Sequence, residues 1–571
     1  MIEIIYTDVQ KTISNNNKII NLFDFTGSLS VDEVSFDFIQ YLEGQMTDNK
    51  TIEDFFTYDG IPMYFFVRPT LYGKLKNIIF FIELMKNIVN NESDKYLLKT
   101  DDKVLYTVAK DLFKIRAEMV ESEIQITKRF DFKYYFGLAK RYIKGSVNLF
   151  KFSFRGTKGR TLALTHSADI NFINNDDYRG YFDTQLGKAI NKLKISNNVL
   201  ELQLLSSRSQ IDKASQYKNE YCPFEFFILY KRLVSKKLVD ETKIKDYTSY
   251  FQSLNYTYKK YDIKAIVFET LINFKKECLN YLIEILAAER FIKKYKFVKC
   301  LIAGEGDRGR CFVVASHRAG VPCYAVQHGI INETSPNYII KSKGETNIVP
   351  TISFLWGRRY QNMLLNNTSI YSNANTVIVG QARTDLLKQY KDRLDNNSKK
   401  IRILYATQYL KDLLEPATEM LFKALKLLET EYELIIKLHP ADNYTDFYNT
   451  LIENYNIKNA SIIKDQDLYN LISWCDIIIS VHSTVVLEGA LMGKPSICIL
   501  LPKYNDEGGF VKDGISLGVS DEYKLAEYLS SRDFGYMNKM KLYIEDNFYA
   551  VDGNVADRIV RVINSSDKYN D

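Results

Sequence analysis

Three of the five histidines in this 571-residue chain stand in short motifs at the ends of apolar, strand-like runs. They are Gln327-His328-Gly329 after VPCYAV, His439-Pro440 after YELIIKL, and Val481-His482-Ser483-Thr484 after CDIII. Imidazole titrates near pH ~6.5, so it can take a proton from a hydroxyl near neutrality or hold a phosphate by a hydrogen bond. Each motif lies just past the carboxyl end of a strand, where an open α/β sheet forms its binding crevice. The chemistry implied is that of a two-domain enzyme handling a phosphorylated, nucleotide-linked substrate.

Around each histidine the neighbouring residues refine the chemistry. In SVHSTVVLEGALMGKP, Ser483 and Thr484 come directly before a predicted helix, where their hydroxyls can cap it and its free N–H groups favour an anion. Glu488 follows one turn later on the face of Thr484, within reach of a ribose diol. Strand alternation puts Lys437 and His439 on one side, and Pro440 turns the chain there, so the pair can offset the charge of a diphosphate. Gln408, just past the strand IRILYAT, completes this donor-side set. On the other side, Gly329 permits a tight turn that leaves His328 facing the cleft as base, phosphate ligand or acceptor guide. Gly304-Glu305-Gly306-Asp307-Arg308 carries two acids in a strand-to-helix turn. Either Glu305 or Asp307 suits a general base, and the turn is not read as a dinucleotide loop. Arg383, in Gly380-Gln381-Ala382-Arg383-Thr384-Asp385, can pair with phosphate or with Asp385. His166 and His317 have no motif around them and are read as structural. No HExxH, cysteine–histidine spacing or GxSxG occurs, so no metal or cofactor is expected.

The elements that must position these residues alternate strand and helix. The carboxyl-terminal part reads IRILYAT, helix 415–430, YELIIKL, helix 444–456, ASIIK, helix 467–474, CDIIIS, helix 484–492 and PSICIL, the pattern of a parallel doubly wound sheet. Upstream, a long helix over about 263–293 precedes FVKCLIAG, a helix over 310–319, VPCYAVQ, SFLWG and TVIVG. Earlier still, GRTLALTHS and NVLELQLL read as strands flanking a helix over 181–193, and 73–120 reads as helical. The polar span 386–400 is the predicted boundary between a domain over 1–385 and a domain over 386–571.

Bulk properties agree with an ordinary globular protein. Hydrophobic residues make up 46% and charged residues 26%, with a net charge of only +6, so nucleic acid is not an expected partner. The seven cysteines form no CxxC pair and fit small core residues of a cytoplasmic protein. The amino terminus shows no signal core, and no run reaches about 20 apolar residues. The most apolar run, NIIFFIELMKNIV (77–89), reads as a buried helix rather than a membrane-surface one.

Taken in order, QHG, GQARTDLL, KLHP and HSTVVLEGALMGKP resemble the series of bacterial surface-polysaccharide glycosyltransferases of the GT-B fold, over roughly 295–530. The resemblance implies an α/β protein with two Rossmann-like domains flanking a cleft and an extended amino-terminal region. It implies a donor held by His439, Ser483 and Thr484, with Glu488 near the ribose. The His-Pro and serine-rich turns are similar to those of sialyltransferases and Kdo transferases, which use CMP-sugars and place an acidic base in the first domain; Glu305 or Asp307 would fill that role. The series also resembles the CDP-glycerol and CDP-ribitol phosphotransferases of teichoic acid synthesis, in which the base would fall on His328 and Arg383 and Asp385 match a G-x-x-R-x-D turn. Gln327 before His-Gly, and Glu488, depart from that second family and favour a sugar donor. The expectation is an inverting, metal-independent glycosyltransferase acting on a glycan, lipid-linked or glycoprotein acceptor, cytoplasmic and in peripheral contact with a membrane. A polyol phosphotransferase and a non-catalytic scaffold are the alternatives.

Overall fold

The computed structural model describes residues 2–7, 11–15, 18–21, 31–89, 95–120, 132–156, 159–174, 178–235, 238–239, 247–271, 274–341, 346–387, 390, 400–439, 442–464, 466–501, 504–506 and 508–565. Two parallel sheets dominate. The first has seven strands in the order Cys222–Pro223, Val199–Leu204, Thr161–His166, Lys299–Ala303, Cys323–Val326, Ile352–Leu355, Thr376–Ile378. The second has six, Ala460–Ile463, Tyr432–Lys437, Ile401–Ala406, Ile477–Ser480, Ser496–Ile499, Leu517–Val519. Every pairing in both is parallel. Helices cover both faces of such a sheet, so its central strands are buried on both sides and predominantly apolar. Lys299–Ala303, Cys323–Val326, Ile477–Ser480 and Ser496–Ile499 are indeed buried at every position. These are two Rossmann-like domains in the expected GT-B-like arrangement.

Each sheet reverses its strand order once. In the first the reversal falls between Thr161–His166 and Lys299–Ala303; in the second it falls between Ile401–Ala406 and Ile477–Ser480. At such a point neighbouring connections leave in opposite directions and open a crevice beyond the carboxyl ends.

The amino-terminal region forms a third unit. Its five-stranded mixed sheet runs Lys18–Asn21, Lys11–Asn15, Ile2–Tyr6, Tyr96–Thr100, Arg116–Met119. The expected helix over 73–120 is instead a helix at Tyr64–Ile88, a strand at Tyr96–Thr100, a helical stretch at Lys103–Thr107 and Val108–Leu112, and a strand at Arg116–Met119. Parallel pairing of Leu97 and Leu98 with Glu3 and Ile4 overrides the local pattern there. The apolar run 77–89 lies largely in the core, with Ile78, Ile79, Ile82 and Met85 buried. This unit docks on the first domain through Arg68, which donates to the carbonyls of Pro336 and Ile339, and through Arg310, which donates to that of Phe65.

Two further expectations change. Residues 179–183 form a strand paired with Ile170–Asn174, and the helix begins only at Gly187. The predicted 263–293 helix is seen as Lys264–Leu271 and Phe274–Tyr295, with 272–273 outside the described residues. The last helix, Val555–Ser565, returns to the first sheet, where Val555, Ala556, Ile559 and Ile563 pack with Leu301, Tyr324 and Phe354. Asp385 draws it there by accepting the N–H groups of Val555 and Ala556, each at 2.8 Å. Most of the polar span 386–400 lies outside the described residues. All seven cysteines are buried and none forms a disulfide. Among the described residues no helix is long and apolar enough to cross a membrane.

Candidate functional site

The first sheet's switch point gathers a His–Asp pair. His328 follows Cys323–Val326, and its Nε2 lies 3.1 Å from Oδ1 of Asp169. Asp169 sits just after the strand that ends at His166. Its side chain is only 2% exposed, whereas that of His328 is 45% exposed, so the acid is held inside and the imidazole reaches out. With Nε2 donating to the carboxylate, Nδ1 is the nitrogen left to accept a proton. Burial pushes the Asp169 carboxyl up, but the His328 hydrogen bond and the charges of His328, Arg383 and His166 together hold it below its ordinary value.

Gly304 is the backbone condition for this pair. Its φ is +76°, and an added Cβ would stand 3.0 Å from Cβ of His328. Gly309 completes a G-x-G-x-x-G spacing with Gly304 and Gly306. A Cβ on Gly309 would lie 2.5 Å from the Gly304 carbonyl oxygen, so the third glycine serves close packing of helix on turn.

Glu305 of this turn is committed to partners other than His328. Glu305 is buried and accepts the hydroxyls of Ser353, at 2.6 Å, and of Tyr371. Burial raises its carboxyl pKa, partly countered by those two hydrogen bonds. Asp307 opens the helix Asp307–Ala319, and its side chain lies outside the described residues. His166, read from sequence as structural, ends the switch-point strand with its ring centroid 6.3 Å from that of His328. His317 is structural, its Nε2 2.7 Å from the Val349 carbonyl oxygen.

Arg383 joins the two domains. Its Nη2 lies 3.3 Å from Oδ1 of Asp169, and its Nη1 lies 3.6 Å from Oε1 of Glu488 in the second domain's helix Val485–Leu491. It pairs with these acids rather than with Asp385, which caps the last helix. Glu488 is buried here and not presented as an open ribose ligand; burial raises its carboxyl pKa, and Arg383 opposes the rise. Oδ2 of Asp169, Oε2 of Glu488 and Nε of Arg383 are buried without a hydrogen-bond partner among the described residues. A second tie lies nearby: Asp467 accepts the backbone N–H of Asn174 at 2.9 Å and the hydroxyl of Tyr390 at 2.7 Å.

At the second switch point lie Thr407 and Gln408, after one strand, and Val481 to Thr484, after its neighbour. Ser483 is buried and its Oγ accepts Val485 N–H at 3.3 Å, making it the helix cap. Thr484 is exposed and makes no capping bond. Gln408 is buried. His482 stacks on Tyr504, centroids 5.7 Å apart. His439 is half-buried against Tyr409, with centroids 5.0 Å apart. Its pKa is lowered by burial and then by the Lys437 charge, so the ring is neutral at pH 7. Lys437 is turned to the backbone, donating to the carbonyls of Leu438 at 2.9 Å and Lys464 at 2.8 Å. Pro440 lies outside the described residues.

Sequence reading missed Asp169 and Asp442. Asp442 accepts the hydroxyls of Thr407, at 2.8 Å, and Tyr448, at 2.9 Å, while Thr407 Oγ1 accepts the His439 N–H at 3.0 Å. It therefore anchors the turn that carries His439. The position of Asp169, three residues past a histidine-ended strand, was the available signal.

Two Rossmann-like sheets joined through Arg383, with a His–Asp pair beside the junction, define a two-domain α/β protein whose candidate site lies where the domains meet. Residues 240–565 match the family model of CDP-glycerol:poly(glycerophosphate) glycerophosphotransferase, and the chain belongs to that family. No curated protein matches it. Among solved structures, UDP-GlcNAc 2-epimerase from Neisseria meningitidis bound to UDP-GlcNAc is 14% identical, with a TM-score of 0.45 over 71% of this chain and 100% of that one. The S. aureus MnaA–UDP structure is 15% identical, with a TM-score of 0.42 over 71% and 95%. A variant of the wall teichoic acid polymerase TagF is 12% identical, with a TM-score of 0.40 over 77% and 99%.

Proposed function

We propose that this protein transfers a polyol phosphate, glycerol phosphate first among them, from a CDP-activated donor to a hydroxyl on a polymer acceptor. The observation that carries this reading is the His328–Asp169 pair at the switch point of a chain belonging to the glycerophosphotransferase family. The acceptor oxygen attacks the polyol-bearing phosphorus while His328 Nδ1 takes its proton. A new P–O bond forms, the bond to the CMP oxygen breaks, and CMP leaves with the electron pair. Asp169 accepts the Nε2 hydrogen bond, keeps Nδ1 free of a proton beforehand, and steadies the imidazolium afterwards. On the donor side, Gln408, His439, Ser483 and Thr484 border the second switch point and are our candidates for the nucleotide and its phosphates. Neutral His439 can donate a hydrogen bond there without a desolvated charge.

A CMP-linked nonulosonate or Kdo-like donor, favoured by sequence alone, would release the same CMP. Family membership favours the phosphotransferase. The test is CMP release by purified protein from CDP-glycerol and from a CMP-nonulosonate, each with an acceptor oligomer. Turnover of CDP-glycerol that is lost in His328→Asn supports the reading. Turnover of the CMP-sugar alone overturns it, and absence of both turnover and CMP binding returns the scaffold alternative. Repeating the assay in EDTA tests the expectation of metal independence.

A further inference from the structure

Two loops that leave the carboxyl end of the first sheet near His328 lie before residue 240, where the family match begins. One follows Thr161–His166 and carries Ser167 and Asp169; the other follows Val199–Leu204 and leads into the helix Ile211–Gln216. Ser167 ties them together. Its Oγ donates to Gln210 Oε1 at 2.6 Å and accepts the Ser206 N–H at 2.9 Å. The tie brings Lys213 of that helix beside the His328–Asp169 pair, where its Nζ donates to the Ala168 carbonyl at 3.4 Å.

Lys213 is a cation without a carboxylate. It is half-buried, its one hydrogen bond is long, and among the described residues no acid stands within ion-pair distance of it. The other cations at this end are answered, Arg383 by Asp169 and Glu488, and Arg308 by Glu284 at 3.4 Å. Burial lowers the Lys213 pKa; Asp169, whose charge opposes that fall, is already held by His328 and Arg383. A partly desolvated ammonium with no counter-charge is unfavourable, and an arriving anion offsets the cost. His166 stands on the same side, its ring centroid 6.3 Å from that of His328, and it makes no hydrogen bond among the described residues. Burial lowers its pKa against the pull of Asp169, and the charges of His328 and Arg308 add to the fall. The neutral ring keeps one N–H to donate.

A hydroxyl alone has no use for an ammonium. An ammonium and an imidazole N–H beside the base suit an anion carried next to the reacting hydroxyl. Each phosphoryl transfer to a chain end leaves a phosphodiester one unit behind the new terminal hydroxyl. We propose that Lys213 and His166 bind that phosphodiester, so that the protein selects an acceptor already bearing phosphate over a neutral one. The proposal rests on the reaction given above and deepens it on the acceptor side.

Calorimetric titration of the full chain, with CMP present to fill the donor side, tests it. The probes are a glycerol phosphate trimer and a triglycerol of similar length without phosphate. The trimer should bind at least about tenfold more tightly. Lys213→Met keeps the length of the side chain and removes its charge. It should weaken trimer binding at least about tenfold while triglycerol binding, CMP binding and melting temperature hold, and Lys213→Arg should restore most of the loss. His166→Phe should weaken the trimer by a smaller factor. Failure of the trimer to bind overturns the proposal, as does equal affinity for the two probes or trimer binding undiminished in Lys213→Met. A loss of CMP affinity in place of trimer affinity assigns Lys213 to the donor and overturns it too. CDP-glycerol turnover is read separately: its absence beside phosphate-dependent trimer binding sinks the reaction and leaves the anion site standing.

Discussion

His328 Nε2 and Asp169 Oδ1 stand 3.1 Å apart although 159 positions separate them along the chain. The contact exists because Thr161–His166 and Cys323–Val326 each pair in parallel with Lys299–Ala303, so the segments after both strands leave the sheet at the same carboxyl end. His328→Asn should cut turnover by about 10²–10⁴-fold, the usual worth of a positioned acid–base group, and leave CMP affinity intact. Asp169→Asn removes the acceptor that sets the tautomer and should lower kcat by about 10²-fold or more with donor KM little changed. Steady-state kinetics separates these parameters; wild-type kcat in Asp169→Asn would sink the pairing.

Arg383→Ala deprives two buried carboxylates, Asp169 and Glu488, of their shared cation. Breaking a buried pair costs about 3–5 kcal/mol, and the partial exposure of Arg383 places it at the lower end, about 3 kcal/mol. Urea unfolding measures this. Arg383→Lys should recover only part of it, since one ammonium cannot reproduce the two-armed contact. An unchanged unfolding midpoint in Arg383→Ala would show that the junction carries no energy.

Acidification should destabilise the fold in two stages. His166 and His439 have pKa values lowered from 6.5, in each case first by burial. Their contribution is therefore full above pH 6.5 and is lost as pH falls through the lowered values. Asp169, held below 3.8 against the pull of burial by its His328 and Arg383 contacts, withdraws its contribution only at still lower pH. Melting temperatures at successive pH values test the order, and His439→Gln should blunt the first stage alone.

Glu305→Gln discriminates between base candidates. Burial raises the Glu305 pKa above 4.5, so its stabilising contribution is present below that value and is lost as pH rises through the raised one. A neutral glutamine can still meet Ser353 and Tyr371. At pH 7 the variant should melt at or above the wild-type temperature and keep its turnover. Abolished turnover in a folded Glu305→Gln would restore the acidic base expected by analogy with CMP-sugar enzymes.

Gly304→Ala should harm activity more than stability. The left-handed backbone costs a non-glycine residue about 1–2 kcal/mol, and the new methyl meets Cβ of His328 at 3.0 Å. A displaced imidazole loses its alignment with the acceptor, so kcat should fall while CMP affinity holds. Equal losses in both would place the effect in the fold.

The sequence by itself determined the alternation of strand and helix from about residue 295 onward. The cores of CDIIIS and PSICIL are short apolar runs buried at every position, as a strand covered on both faces requires, and the turn after the first carries His482 and Ser483. It therefore places His328, His439 and Ser483 at strand ends. It could not place Glu305 or Glu488, because whether a carboxylate beside a crevice faces solvent or Ser353, Tyr371 and Arg383 depends on neighbours 48, 66 and 105 positions away. Nor could it place Asp169, whose value lies in meeting His328 and Arg383. Periodicity records which side of its own element a residue occupies. What that side meets is decided by the order in which strands enter a sheet and by how two sheets are joined, and those are settled by packing across the whole chain.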